Sequence, residues 1–262
     1  MPEMRLIRQA IAAVVLAAGA ATACAAHADP VDWTVEAGAA GRVRPAHIGS
    51  SRYVFDGVPI FEATLGDDVS VSLDDGAKWK ALKFGPVSLG PIAEYRQSFS
   101  DDLPRGAFRM SDTIEVGGFG EWRTPVGIAE ARLRHAVNGY DGWSGDLSFV
   151  TGGTVAPKLM MAAQTRLSWA DSNFTQEYFG LMPHAASHFG LPRFQDGDFL
   201  TAGAEIDAAR EITRHTRVVL ELTADHIISD MQPSPLFSTR DIFTATLGFT
   251  YRWSSSSTGR LP

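Results

Sequence analysis

A single cysteine, Cys24, stands in 262 residues, so no disulfide can form within the chain. Basic residues are scarce relative to acids. The 23 Lys and Arg against 30 Asp and Glu leave a net charge of −7, which lacks the positive footprint nucleic acid requires. Beyond the first thirty residues no run reaches the roughly 18 consecutive apolar positions of a membrane-crossing helix. G-x-S-x-G, C-x-x-C and P-loop motifs are all missing. The His residues form no H-E-x-x-H. His184 and His188 are four apart, a spacing better read as polar loop than as a metal site. A lipid-hydrolysing pair of Ser168 and His135 would need both at the lipid-facing rim, and Ser168 is expected to point inward. The expectation is no enzyme, no cofactor and no metal.

What the chain does have begins at its start. Arg5 and Arg8 precede an apolar run from Ile11 to Ala21, and Ala26-His27-Ala28 then offers small residues at a cleavage site. This pattern predicts a secretory signal peptide over 1–28, removed before folding. Ala21-Thr22-Ala23-Cys24 also resembles a lipoprotein box, but the bulky residue three places before the Cys is missing. Cleavage after Ala28 is therefore preferred, and it removes the one Cys.

The rest is strand alternation. From Phe243 to Trp253, odd positions carry Phe243, Ala245, Leu247, Phe249, Tyr251 and Trp253; even positions carry Thr244, Thr246, Gly248, Thr250 and Arg252. Successive strand side chains point to opposite faces, so one face is apolar and ends in aromatics. Similar patterns recur over 33–43, 54–65, 69–73, 79–84, 87–99, 113–123, 126–137, 143–155, 159–169, 199–209 and 216–226. They predict an all-β fold, a closed antiparallel transmembrane barrel of about twelve strands over 29–253. Every second connection is short, as at Gly66-Asp67, Gly85-Pro86, Thr124-Pro125 and Ala156-Pro157, while the others are longer, up to an extracellular loop over 170–198. That segregation places the short turns, both ends and a tail over 254–262 in the periplasm of a Gram-negative bacterium. Closure follows because an open strand edge cannot persist in hydrocarbon.

The polar faces converge inside such a barrel. They carry Glu36, Arg42, Glu94, Arg96, Glu115, Glu121, Glu130, Arg132, Arg134, Gln164, Arg166, Glu205, Asp207, Arg217, Glu221, Asp225 and Arg252. Two readings stand. The charges cross-link neighbouring strands and block flow, or they line a narrow polar pore leaning to cations. In the long loop, Trp169, Asp171, Asn173, Tyr178 and Phe179 are candidates for a lid over the mouth, with Asp171 and Asn173 capping backbone locally. The aromatics could instead form a binding patch.

Three segments carry a family resemblance. Leu167-Ser168-Trp169-Ala170-Asp171-Ser172-Asn173-Phe174-Thr175-Gln176-Glu177-Tyr178-Phe179-Gly180 resembles W-A-[DN]-x-x-[YF]-x-x-x-[YF]-F-G; Ser187-His188-Phe189-Gly190-Leu191-Pro192-Arg193-Phe194 is similar to S-G-L-P-x-[YF]; and Phe84–Arg96 resembles [LF]-x-x-G-P-x-[LV]-x-Y-R. Together they resemble the MipA/OmpV family of MltA-interacting outer-membrane proteins. The resemblance implies a barrel without enzyme activity that scaffolds a lytic transglycosylase and a peptidoglycan synthase. It also leaves open a small-solute or antibiotic channel and an adhesin-like surface protein. The expected company is outer-membrane lipid and the barrel-assembly machinery. Members usually end on the last aromatic, whereas here Ser254 to Pro262 follow Trp253.

Overall fold

The computed structural model describes residues 31–99, 101, 112–179, 197–229 and 237–255. The expected signal peptide and most of the expected tail lie outside them. Among the described residues the strands are β1 (Trp33–Pro45), β2 (Tyr53–Leu65), β3 (Val69–Ser72), β4 (Gly76–Trp79), β5 (Leu82–Phe84), β6 (Val87–Arg96), β7 (Thr113–Thr124), β8 (Gly127–Ala136), β9 (Trp143–Ala156), β10 (Leu159–Ala170), β11 (Phe199–Glu211), β12 (Thr216–Ile227) and β13 (Asp241–Ser254). One helix, α1 (Ser172–Phe179), follows β10.

Except for β4 and β5, each strand pairs antiparallel with its neighbour in sequence, β13 returns to β1, and β4 meets β6. Twelve strands thus close into a ring, with β5 a short flap on β6. The expected barrel of about twelve strands is what forms. Its long ladders are regular; β1 and β2 pair without interruption from Trp33↔Leu65 to Pro45↔Tyr53.

The outward faces are apolar. Leu133, Leu147, Leu220 and Leu247 are all exposed on them. Exposed aromatics gather at both ends of this belt. Trp33, Trp79, Phe84, Trp122 and Trp253 stand at the short-turn end, and Tyr53, Phe55, Tyr95, Trp143 and Phe243 at the long-loop end. Two aromatic girdles bracketing an apolar band are the signature of strands that cross a bilayer.

The wall is uneven at one place. A single strand was expected over 79–84, and the chain instead forms β4 and β5, broken at Lys80–Ala81. The ladder to β6 stops at Ile92 and resumes at Leu89. Between them lie Gly90 and Pro91, and Pro91 has no N–H to give. A Cβ on Gly90 would sit 1.7 Å from the Trp79 carbonyl oxygen, so only glycine lets the broken strand approach. The expected strand over 87–99 also ends early, at Arg96. Phe99 then lies inward against Arg42 and Arg44 of β1, and the Asp101 amide donates to the Ala46 carbonyl, just past β1, at 3.2 Å.

Candidate functional site: an ion-paired lumen beneath an aromatic plug

Alternation puts the candidate lumen residues on inward strand positions, and it does so in separate groups. The tightest lies toward the long-loop end. Glu115 of β7 is wholly buried. It accepts from Arg96 Nε at 2.6 Å, Arg134 Nε at 3.0 Å, Ser144 Oγ at 2.8 Å and the Tyr140 hydroxyl at 2.5 Å. Arg134 of β8, 1% exposed, also reaches Glu94 at 3.0 Å and pairs with Asp146. A carboxylate and a guanidinium stay charged when buried this deeply only if each is paired and hydrogen-bonded on several sides, and both are.

A second group joins the hairpin of β3 and β4 to the far side of the closure. Arg132 bonds Asp75 at 2.7 Å, approaches Glu94 at 3.6 Å and pairs with Glu130. Lys78 reaches Glu130 at 3.3 Å and Lys80 reaches Glu121 at 2.8 Å. Backbone pairing between β4 and β6 consists of Ala77↔Ala93 and Lys78↔Ile92 alone. These side chains therefore supplement a seam with little ladder of its own.

Near the short-turn end Glu36 accepts from Arg217 at 3.2 Å, from Arg252 at 3.0 Å and from the Thr250 hydroxyl, tying β1 to β12 and β13. Arg166 spans β10 to β12, bonding Asp225 at 2.7 Å and Glu205 at 3.4 Å. Arg42 and Arg44 share Asp56 of β2 at 3.2 and 2.9 Å, and the Arg44 guanidinium lies 3.6 Å from the Phe99 ring centroid.

Opposite these pairs runs an acidic face. Glu205, Asp207 and Glu221 on β11 and β12 lie within electrostatic reach of Asp74 and Asp75 at the β3–β4 tip. Glu221 is bonded by the Thr223 hydroxyl at 3.4 Å, and Glu205 shares Arg166 with Asp225. The lumen thus carries ion pairs around much of its wall, with Asp74, Asp207 and Glu221 an acidic stretch among them.

The long-loop mouth carries a small hydrophobic core. Phe174, Tyr178 and Phe179 of α1 are buried with Tyr140, Phe199 and Ile227. Phe174 stacks on Tyr178 at 4.2 Å and meets Tyr140 edge-on at 5.2 Å. Asp171 caps α1, accepting from the Phe174 amide at 3.2 Å, and its other oxygen accepts from the Trp143 amide at 2.7 Å. Asn173 donates to the Asp141 carbonyl at 2.5 Å, and Trp169 Nε1 donates to Asp198 at 3.0 Å. Burial raises the Tyr140 and Tyr178 phenols well above their usual range, so both remain neutral.

Sequence reading passed over Arg44, Asp56, Asp75, Lys78, Tyr140, Ser144 and Asp146. Ser144 and Asp146 were legible, since they occupy alternate positions of the strand expected over 143–155. Asp75 and Lys78 sit where a loop was expected. Ser168 faces inward beside Asp146, whereas His135 is on the outward face, edge-on to Trp143 at 4.8 Å and 3.5 Å from Asp141. They stand on opposite sides of the wall. His184 and His188 lie outside the described residues. Among the described residues, no three His, Cys, Asp or Glu side chains group as a metal would need.

The family model described as MltA-interacting protein MipA matches residues 37–253. Among solved structures, neisserial surface protein A is similar over 84% of this chain and 95% of its own, at 9% identity and a TM-score of 0.28. OprG from Pseudomonas aeruginosa is similar over 85% and 96%, at 10% and 0.30. A porin refined at 1.8 Å is similar over 86% and 100%, at 8% and 0.35. Likeness this low carries no argument about function. No curated protein matches.

Proposed function

The chain belongs to the MltA-interacting protein MipA family, and from that membership we propose that it is a non-enzymatic scaffold in the outer membrane of a Gram-negative bacterium. Its short-turn face, toward the periplasm, would hold a lytic transglycosylase and a peptidoglycan synthase. Family membership is the observation that carries this reading. The lumen supports it: buried ion pairs link strands around much of the wall, and a packed aromatic cluster covers the mouth. An interior so occupied is built for rigidity, which leaves the ends of the barrel as its working surfaces. The short-turn end offers Ile212 and Val126 exposed among polar turn residues. The test is capture of purified transglycosylase and synthase by the detergent-solubilised barrel. Binding of either, lost when the turns at 125–126 and 212–215 are replaced by Gly-Ser, is the expected result. Capture of neither, beside a working control, would refute it.

A second reading is favoured by one feature, the acidic face of Asp207, Glu221 and Asp74. A polar conduit past it would favour cations, since fixed carboxylates repel anions at close quarters. Planar-bilayer recording tests this, and absence of any conductance step in a variant without the plug would remove it.

A further inference from the structure

The wall has a notch. β2 runs from Tyr53 to Leu65, but β3 pairs only with Glu62–Leu65. The Leu73 amide adds one bond to the Phe61 carbonyl. From Tyr53 to Ile60 that edge of β2 has no strand partner among the described residues, a length of about 26 Å at the usual rise. On the other side β4 reaches β6 only to Ala93, with Gly76 beside Glu94. Above that level β6 has two more residues, Tyr95 and Arg96, before the chain turns inward to β1. Among the described residues, the loop-side half of the wall therefore lacks two strands. Three strand spacings of about 4.8 Å make the gap about 14 Å wide. Pro59 sits on this bare edge, where a residue without an N–H is tolerated.

The gap stands between the two aromatic girdles, because Tyr53 and Phe55 mark the upper one. Hydrocarbon does not tolerate bare backbone; such an edge must be covered by protein or line a cavity. The inner surface beside the gap is unlike the rest of the lumen. Asp56 bonds the inward-facing Arg42, so Val54, Val58 and Ile60 share its inward side. Ile60 lies across Ala40 toward Gly248; a Cβ on that glycine would come within 2.9 Å of the Ile60 Cδ1. Ile92 of β6, also inward, is 3% exposed. At comparable inward positions β7, β8 and β12 carry Glu115, Arg134 and Asp225. A branched aliphatic lining thus begins where the wall is open to lipid.

We propose that the notch between β2 and β6 is a lateral portal. It admits a lipid acyl chain from the bilayer onto Val58 and Ile60, below the Arg42–Arg44–Asp56 cluster. The apolar contact and the missing wall supply the site; the membrane supplies the ligand.

Photocrosslinking tests it. Benzoylphenylalanine is placed singly in the full chain at Val58, at outward Leu247 and at Thr223 on an intact inward wall. Heat-modifiable gel mobility checks the fold of each. After irradiation in phosphatidylcholine vesicles, lipid adducts at Val58 should match Leu247 and exceed Thr223 about tenfold, since a closed wall excludes lipid. A yield at Val58 as low as at Thr223 overturns the proposal. So does adduct formation with a second copy, or with another segment of the same chain, in place of lipid. A probe squeezed outward is distinguished by a second measurement. With the probe at Ile60, Val58→Asp should cut the lipid yield several-fold, because an acyl chain avoids a carboxylate; an unchanged yield overturns the proposal. Where Val58→Asp misfolds, Val58→Thr serves the same comparison.

Discussion

Arg134 pairs with three carboxylates at once, Glu115, Glu94 and Asp146, and is 1% exposed. Arg134→Leu removes one cation and leaves buried acids without it, a loss on the order of 3–5 kcal/mol. Arg123 pairs with Glu121 at 3.0 Å, but its side chain is 53% exposed, so solvent screens the pair. Arg123→Leu should cost well under about 1 kcal/mol. Urea titration followed by heat-modifiable mobility checks the contrast, and equal midpoints would contradict it. Phe174, 1% exposed, gives the parallel apolar case. Phe174→Ala removes a ring packed against Tyr140, Tyr178 and Phe199, at about 3 kcal/mol. Much of that loss should be local to α1, so hydrogen exchange there should accelerate while β12 and β13 keep their protection.

At the scale of elements, the hairpin of β3 and β4 is the weak stave. Its bond to β6 is two residue pairs, and Lys78–Glu130, Arg132–Asp75 and Lys80–Glu121 extend the tie to β7 and β8. If these pairs hold the seam, Lys78→Met and Arg132→Met should not act independently, because both side chains meet Glu130. A double-mutant cycle should show a coupling of about 0.5–3 kcal/mol. Hydrogen exchange should quicken in β3 and β4 before β1 and β2, whose ladder is unbroken. The same hairpin shows where sequence reading stops. The strands from β7 to β13 were legible because alternation over ten or more residues is decisive when one face meets lipid. The alternation over 69–73 anticipates β3, but β4 and β5 are four and three residues long, too short for a period to register. Trp79 and Phe84, five residues apart, would fall on opposite faces of one continuous strand, and Gly90 and Pro91 on a neighbouring strand mark where it breaks. Pairing across the sheet is invisible in a local pattern. The lumen was legible for the same reason as the long strands, since its charges follow from alternation. Which acid meets which base was not, because register and side-chain reach join residues as distant as Glu36 and Arg252.

For the molecule as a whole, the open question is what crosses the ring. Two opposed features govern it. The aromatic core around α1 packs at the long-loop mouth, and Asp74, Asp207 and Glu221 lie within electrostatic reach of one another in the interior. The intact barrel should then pass little current, because a close-packed aromatic core has no room for hydrated ions. Loosening the plug with Phe174→Ala and Tyr178→Ala together should raise the frequency of conductance steps in planar bilayers. Those steps should prefer cations, because carboxylates in a narrow low-dielectric lumen act strongly on passing ions. Adding Asp207→Asn and Glu221→Gln should lower the cation-to-anion permeability ratio, read from the reversal potential in a KCl gradient. The step size should change less, since neither substitution widens the path. Anion preference in the plug variant would place the conducting route along Arg42, Arg44 and Arg166 instead. Silence in every variant would mean that the cross-linked interior is itself the barrier, leaving the two rims and the lipid-facing notch as the surfaces through which this barrel acts.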